Sequence, residues 1–214
     1  MGFKRILRAE ELFKHIQTVG PEAFVEVQPL VGAGERPGVE AAEMRPAAHF
    51  AADQAGVLQR LLPGPIERIW AYLTESELRR QWLAAGPMEM KVGAPFEFVW
   101  RNNELTDPPG QRPAGFADEH RMQSRITELD PPRKLAIVWG SAGGVSFELE
   151  PKGAEVLLTL IHRRAPDRAT LLSVSAGWHA HLDILVARAT GKEPAPFWDG
   201  WSRLHKEYDR RLPA

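Results

Sequence analysis

Residues 169–191, ATLLSVSAGWHAHLDILVARATG, decide the fold. With Trp178 set at 0° and about 100° of rotation per residue, Leu171, Val174, Leu182, Leu185 and Ala189 all fall within about 40° of it. The spacing predicts one helix over roughly residues 169–190, apolar along one face for about five turns and stopped by Gly191. Ser175 and His181 flank that face at about 60°, and Asp183, at about 140°, reads as solvated. A helix face of this length must lie on an apolar surface.

The stretch upstream supplies such a surface. Phe96, Phe98 and Trp100 alternate with Glu97 and Val99, which is a strand with an aromatic face. Met122, Ser124 and Ile126 share one side of a strand over 121–129. After the turn signal Asp130-Pro131-Pro132, alternation resumes at Leu135, Ile137 and Trp139. The glycines of 140–144 then permit a tight turn into Val145, Phe147 and Leu149, and Pro151-Lys152-Gly153 leads into Val156, Leu158 and Leu160. Short turns of this kind join antiparallel neighbours. The polar, Pro-rich stretch from Arg101 to His120 is long for a connection within one domain and reads as a gate or flank at the mouth of a cavity.

Ahead of the strands, Ile66, Ile69, Trp70 and Leu73 form a helical stripe that Pro65 can open as first helical residue. Thr74-Glu75-Ser76-Glu77 matches a capping box, with Leu78 and Trp82 on one face of a second short helix. Further upstream, Ile6, Leu12, Phe13, Ile16 and Val19 suggest a short amphipathic helix. Residues 20–50 are rich in Gly and Pro and read as irregular. Met44 stands as an alternative start. The chain thus divides into an N-terminal extension, 1–50, and a domain, 51–214, whose tail (Phe197, Trp198, Trp201, Leu204, Tyr208) carries a further short helix packed outside.

Composition narrows the function. The 214 residues carry 27 Lys and Arg against 28 Asp and Glu, for a net charge of -1, which disfavours a dedicated nucleic-acid binder. Without cysteine there is no disulfide, zinc thiolate or thiol nucleophile. No secretory signal and no run of about 18 apolar residues is present, so a cytoplasmic location and no membrane span are expected. His179 and His181, at i and i+2, diverge by about 200° on a helix and cannot share one metal, so neither metal nor cofactor is expected. No Gly-x-Ser-x-Gly elbow occurs, and the 140–146 glycines lack the Gly-Lys-Ser/Thr of a phosphate loop. Seven tryptophans are many for this length. Trp70, Trp82, Trp100, Trp139 and Trp178 all lie on apolar faces, either as core packing or as cavity walls.

Six motifs in order carry a family resemblance over about residues 57–210. Residues 62–74, LPGPIERIWAYLT, are similar to a Pro-x-x-x-Val-Trp-x-x-Leu-Thr helix opening, with Ile69 where Val is commoner. Trp82 matches a tryptophan closing the second helix, and 90–96, MKVGAPF, a Gly-Gly-x-Phe strand opening with Ala94 for the second Gly. Residues 130–135 match a Pro-Pro-x-x-Leu turn, 149–162 the last hairpin, and Gly177-Trp178 the helix signature. Together they resemble the heat-shock-protein-ATPase-activator-like group of the START/SRPBCC superfamily.

That resemblance implies an α+β helix-grip fold, a curved antiparallel sheet wrapped around a long C-terminal helix, with two short helices after the first strand. In many members an apolar cavity lies between sheet and helix. The expected role is non-enzymatic binding of a small hydrophobic molecule or lipid. Its walls would be Phe98, Trp100, Ile137 and Trp139 on the sheet and Val174, Trp178, Leu182 and Leu185 on the helix, with His181 as one polar contact. A protein-interaction or co-chaperone-like module, with a protein partner or homodimer, and a cyclase- or hydratase-type enzyme are the alternatives. Fold alone does not choose among them.

Overall fold

The computed structural model describes residues 24–28, 55–140 and 143–212. The helix read within 6–19 and the boundary drawn at residue 50 lie outside them.

Among the described residues seven strands form one sheet in the order β1-β2-β7-β6-β5-β4-β3. Strands β2 (Ala55–Pro63), β3 (Pro95–Trp100), β4 (His120–Asp130), β5 (Lys134–Trp139), β6 (Gly143–Lys152) and β7 (Glu155–Arg163) pair with one another antiparallel. Strand β1 (Phe24–Gln28) adds to β2 in parallel, Phe24 opposite Gly56. It falls in the segment read as irregular; Phe-Val-Glu-Val has strand-forming residues, but flanking Gly and Pro mask so short a signal. β4 slips register against β5 between Ile126 and Glu128. Such a bulge bends the strand and helps the sheet curl.

Helix α1 (Ile66–Thr74) and helix α2 (Ser76–Arg79) join β2 to β3. No capping box forms: Thr74 donates its hydroxyl back to the Trp70 carbonyl at 2.9 Å, and Glu75, not Thr74, precedes α2. The geometry after α2 is instead held by Arg79, which is almost wholly buried. Its guanidinium donates to the carbonyls of Leu73 (3.2 Å), Thr74 (2.9 Å), Ala84 (3.2 Å) and Gly86, and stacks 5.3 Å from the Phe98 ring centroid. One fork of donors thus satisfies four carbonyls that the end of α1 and the turn after α2 would leave bare.

Helix α3 (Arg168–Thr190) matches the expected span to within a residue. Asp167 caps it, accepting from the Thr170 N–H at 2.7 Å, and Gly191 ends it in the left-handed region at φ 68°. The one-faced reading of α3 is corrected, however. Leu171, Trp178, Leu182 and Leu185 are buried toward the sheet, and Leu172, Ala176, His179, Ala180 and Ile184 are buried on the other sides. The reason is helix α4 (Phe197–Arg211), which packs across the outside of α3 with Phe197, Trp198, Trp201, Leu204 and Tyr208. The molecule is therefore three layers thick, sheet, α3 and α4, with α3 in the middle: a helix-grip fold with an added outer helix.

Candidate functional site

Strand alternation places Phe98 and Trp100 of β3, Ile137 and Trp139 of β5, and Phe147 of β6 on the concave face, where they meet Trp178 of α3. Ring centroids lie 5.1 Å apart for Phe98–Trp100, 5.6 Å for Trp100–Trp139, 6.2 Å for Phe98–Trp139, 4.9 Å for Trp139–Trp178 and 5.8 Å for Phe147–Trp178. These are tilted or edge-to-face contacts, the arrangement aromatic quadrupoles prefer. The rings therefore fill the seam between sheet and helix against each other.

The seam has a closed floor and a looser rim. Leu182, Leu185 and Trp82 are fully buried in one core, and the Trp82 indole donates to the Tyr72 carbonyl at 2.9 Å. Toward the start of α3, Val174 and Trp139 are half-exposed, and exposed His120 stacks 5.5 Å from Trp100. From Val174 to Leu185 the helix rises about 16 Å. Of the nine residues named for the site, Phe98, Trp100 and Trp139 are in mutual ring contact, and Trp139 carries the contact on to Trp178. Ile137, Leu182 and Leu185 belong to the same buried core, with Val174 packed at its margin.

His181 sits apart from the rings. Its Nδ1 is 2.7 Å from the Trp82 carbonyl, which can only accept, so Nδ1 donates. The ring stacks on Phe197, 4.8 Å between centroids, and burial pulls its pKa down to about 4. It ties the α2 turn to α3 and α4. The polar partner of the ring group is His162, which the sequence reading did not place among the site residues. It sits on β7 and accepts the Trp178 indole N–H at Nδ1, 3.0 Å, with its ring 5.6 Å from Trp139. Burial lowers its pKa to about 4, against a hydrogen bond to the Arg164 backbone that raises it. The signal was available in the chain: His162 shares the β7 alternation of Leu158 and Leu160 and so faces inward.

A second polar group was also missed. Buried Arg60 of β2 donates to Asp183 of α3 at 3.1 Å. The other Asp183 oxygen lies 3.6 Å from His179 Nε2, and His179 Nδ1 is 3.0 Å from the Tyr208 hydroxyl of α4. Asp183 is thus an anchored carboxylate crossing all three layers, where the helical wheel had it simply solvated. His179 and His181 point to different partners, as their spacing required.

The 101–120 stretch is tied down rather than loose. Asn103 Oδ1 accepts the Trp198 indole N–H at 2.7 Å, the Pro109 carbonyl accepts the Trp198 N–H at 2.9 Å, and the Leu105 carbonyl accepts from Arg188 at 2.9 Å. Phe116 packs on Trp198 and Trp201, with centroids 4.9 and 5.0 Å away. The stretch is a flank that joins the end of β3 to α4. Among the described residues no group of three His, Asp or Glu side chains is placed to hold a metal, and no helix is long and apolar enough to cross a membrane.

Residues 63–190 match the family described as activator of Hsp90 ATPase homolog 1-like protein. Among solved structures, a protein of Bordetella parapertussis determined by solution NMR is 36% identical, with a TM-score of 0.66 over 79% of this chain and 91% of its own. CalU16 of Micromonospora echinospora is 18% identical, with a TM-score of 0.54 over 74% and 88% of the two chains. A conserved protein of unknown function from Enterococcus faecalis is 19% identical, with a TM-score of 0.53 over 73% and 85%. The last two likenesses concern the fold alone. No curated protein matches the chain.

Proposed function

The chain belongs to the activator of Hsp90 ATPase homolog 1-like family, and from that premise we propose that it binds a small hydrophobic or amphipathic molecule in the seam between the sheet and α3, without chemistry. The observation that carries this reading is the run of rings from Phe98 and Trp100 through Trp139 to Trp178, with Trp139 half-exposed at its rim. A guest enters beside Val174 by turning Trp139 outward and stacking in its place on Trp178, Trp100 and Phe98. Its driving force is apolar surface removed from water, about 25 cal/mol per Å².

The absence of chemistry is supported by the state of His162. Its Nδ1 is engaged by Trp178, and burial holds the ring neutral, so at this position it is poorly placed to act as an acid or base. Ligand orientation then falls to hydrogen bonds at the rim, where His120 is exposed.

Tryptophan emission tests the reading. A panel of palmitate, a flavonoid and 1-naphthoic acid is titrated into the full chain and into Trp139→Ala. Saturable quenching or a spectral shift by at least one compound, kept or tightened in Trp139→Ala, which vacates the place the guest takes, supports it. A panel without effect, or binding that Trp139→Ala abolishes while its circular dichroism is unchanged, overturns it.

A further inference from the structure

A recess of about 560 Å³ lies on the far side of the molecule from the sheet, between the loop Gln111–Ala114 and the exposed face of α4. Its walls carry Arg112, Arg203, Lys206 and Arg210, against one carboxylate, Asp199. That carboxylate is already engaged, its Oδ1 accepting the Gln111 N–H at 2.9 Å. Four cations thus line one recess of a chain whose overall charge is -1. Arg112 is paired with Asp118, and Arg203 lies 3.7 Å from Glu207. Among the described residues no carboxylate stands within ion-pair distance of Lys206 or Arg210; Arg210 Nε donates instead to the Lys206 carbonyl at 3.2 Å. The recess is a built feature. Asp199 and the Pro109–Trp198 backbone hydrogen bond pin the loop to the helix, and Gly110 allows the close approach, since a Cβ there would stand 2.9 Å from the Asp199 nitrogen. α4 itself lies beyond the residues that match the family.

We propose that this recess docks an acidic peptide segment of a protein partner. Arg203, Lys206 and Arg210, at i, i+3 and i+7, share one face of α4 and spread their Cα atoms over about 10 Å. Cations strung along a line do not converge on one phosphate. They meet successive carboxylates of a segment laid along the helix, since same-side residues of an extended chain recur at about 6.6 Å. Arg112 closes the opposite wall. The attraction is electrostatic and exposed, so it weakens as salt rises. The recess lies on α4, away from the ring seam, and does not depend on what the seam binds.

Fluorescence anisotropy with fluorescein-labelled decaglutamate and the full chain tests the proposal. Saturable binding in 50 mM salt is expected. It should weaken at least tenfold in R203Q/K206Q/R210Q and fall steeply by 200 mM salt. R203E/K206E/R210E should abolish it; the glutamine variant, which adds no like charge beside Glu207, keeps the test alive if the glutamate variant does not fold. K91Q/R125Q/R133Q, which removes the same charge from exposed positions elsewhere, should bind as the parent does. The proposal is overturned by no saturable binding, by equal weakening in the control variant, by tighter binding of fluorescein-labelled dT10, or by tripolyphosphate binding as tightly as decaglutamate.

Discussion

Trp178 of α3 donates its indole N–H to Nδ1 of His162 on β7 across 3.0 Å, within a layer otherwise made of hydrocarbon and rings. The bond fixes the His162 lone pair and the Trp178 rotamer together, joining the helix to the sheet at the place where the rings meet. Trp178→Phe keeps most of the ring and removes the donor. Stability should fall by about 1–3 kcal/mol, the cost of leaving one buried polar atom without its partner. Because the donor opposes protonation of Nδ1, the His162 pKa should rise from about 4 in that variant. Ring-proton NMR titration reads this; an unmoved pKa would show that the bond does not control the histidine.

His162 and His181 make stability depend on pH. Both are held by burial at a pKa of about 4, against an ordinary value of 6.5. Between those values the unfolded chain binds protons that the folded chain does not, so stability is whole above pH 6.5 and declines as pH falls. Between pH 7 and 5 the loss should be about 2 kcal/mol per ring. Urea denaturation at the two pH values measures it. His162→Asn and His181→Asn should each remove about half of the slope whatever they do to stability at pH 7, and a flat profile in the parent would refute the assignment.

Arg79 is a buried cation that serves four backbone carbonyls and faces Phe98. Burial lowers its pKa only to about 10, so it stays charged at neutral pH. Arg79→Met should cost about 3–5 kcal/mol, since several buried acceptors lose their donor at once. Arg79→Lys should recover only a minor part, because one ammonium cannot reproduce the planar fork. Chemical denaturation decides the matter, and a cost below about 1 kcal/mol would mean that water satisfies these carbonyls.

Gly86 and Gly153 both have positive φ, +127° and +68°, but differ in their surroundings. A Cβ on Gly86 would stand 1.9 Å from the Glu97 carbonyl oxygen, backbone that cannot swing away, whereas nothing lies within 4 Å of one on Gly153. Gly86→Ala should prevent folding or cost more than about 4 kcal/mol, while Gly153→Ala should cost only the left-handed backbone penalty of about 1 kcal/mol. Thermal melts of the two variants compare the effects directly.

Local patterns determined much of this protein. The period of α3 and its Gly191 stop are written in consecutive residues, and so are the alternations that put Phe98, Trp100, Ile137 and Trp139 on one face of the sheet. These features depend only on neighbours along the chain, so they are legible before folding. The tertiary structure alone decided what each face meets. The tail read as a short helix packed outside, but only the fold laid it against α3, which made Leu172, His179 and Ile184 core residues. Asp183 acquired Arg60 from a strand more than a hundred residues away, and His181 turned from the rings to the Trp82 carbonyl. A buried polar group takes whichever partner the fold brings within about 3 Å, and that choice is made between segments distant in sequence, where no periodicity can record it.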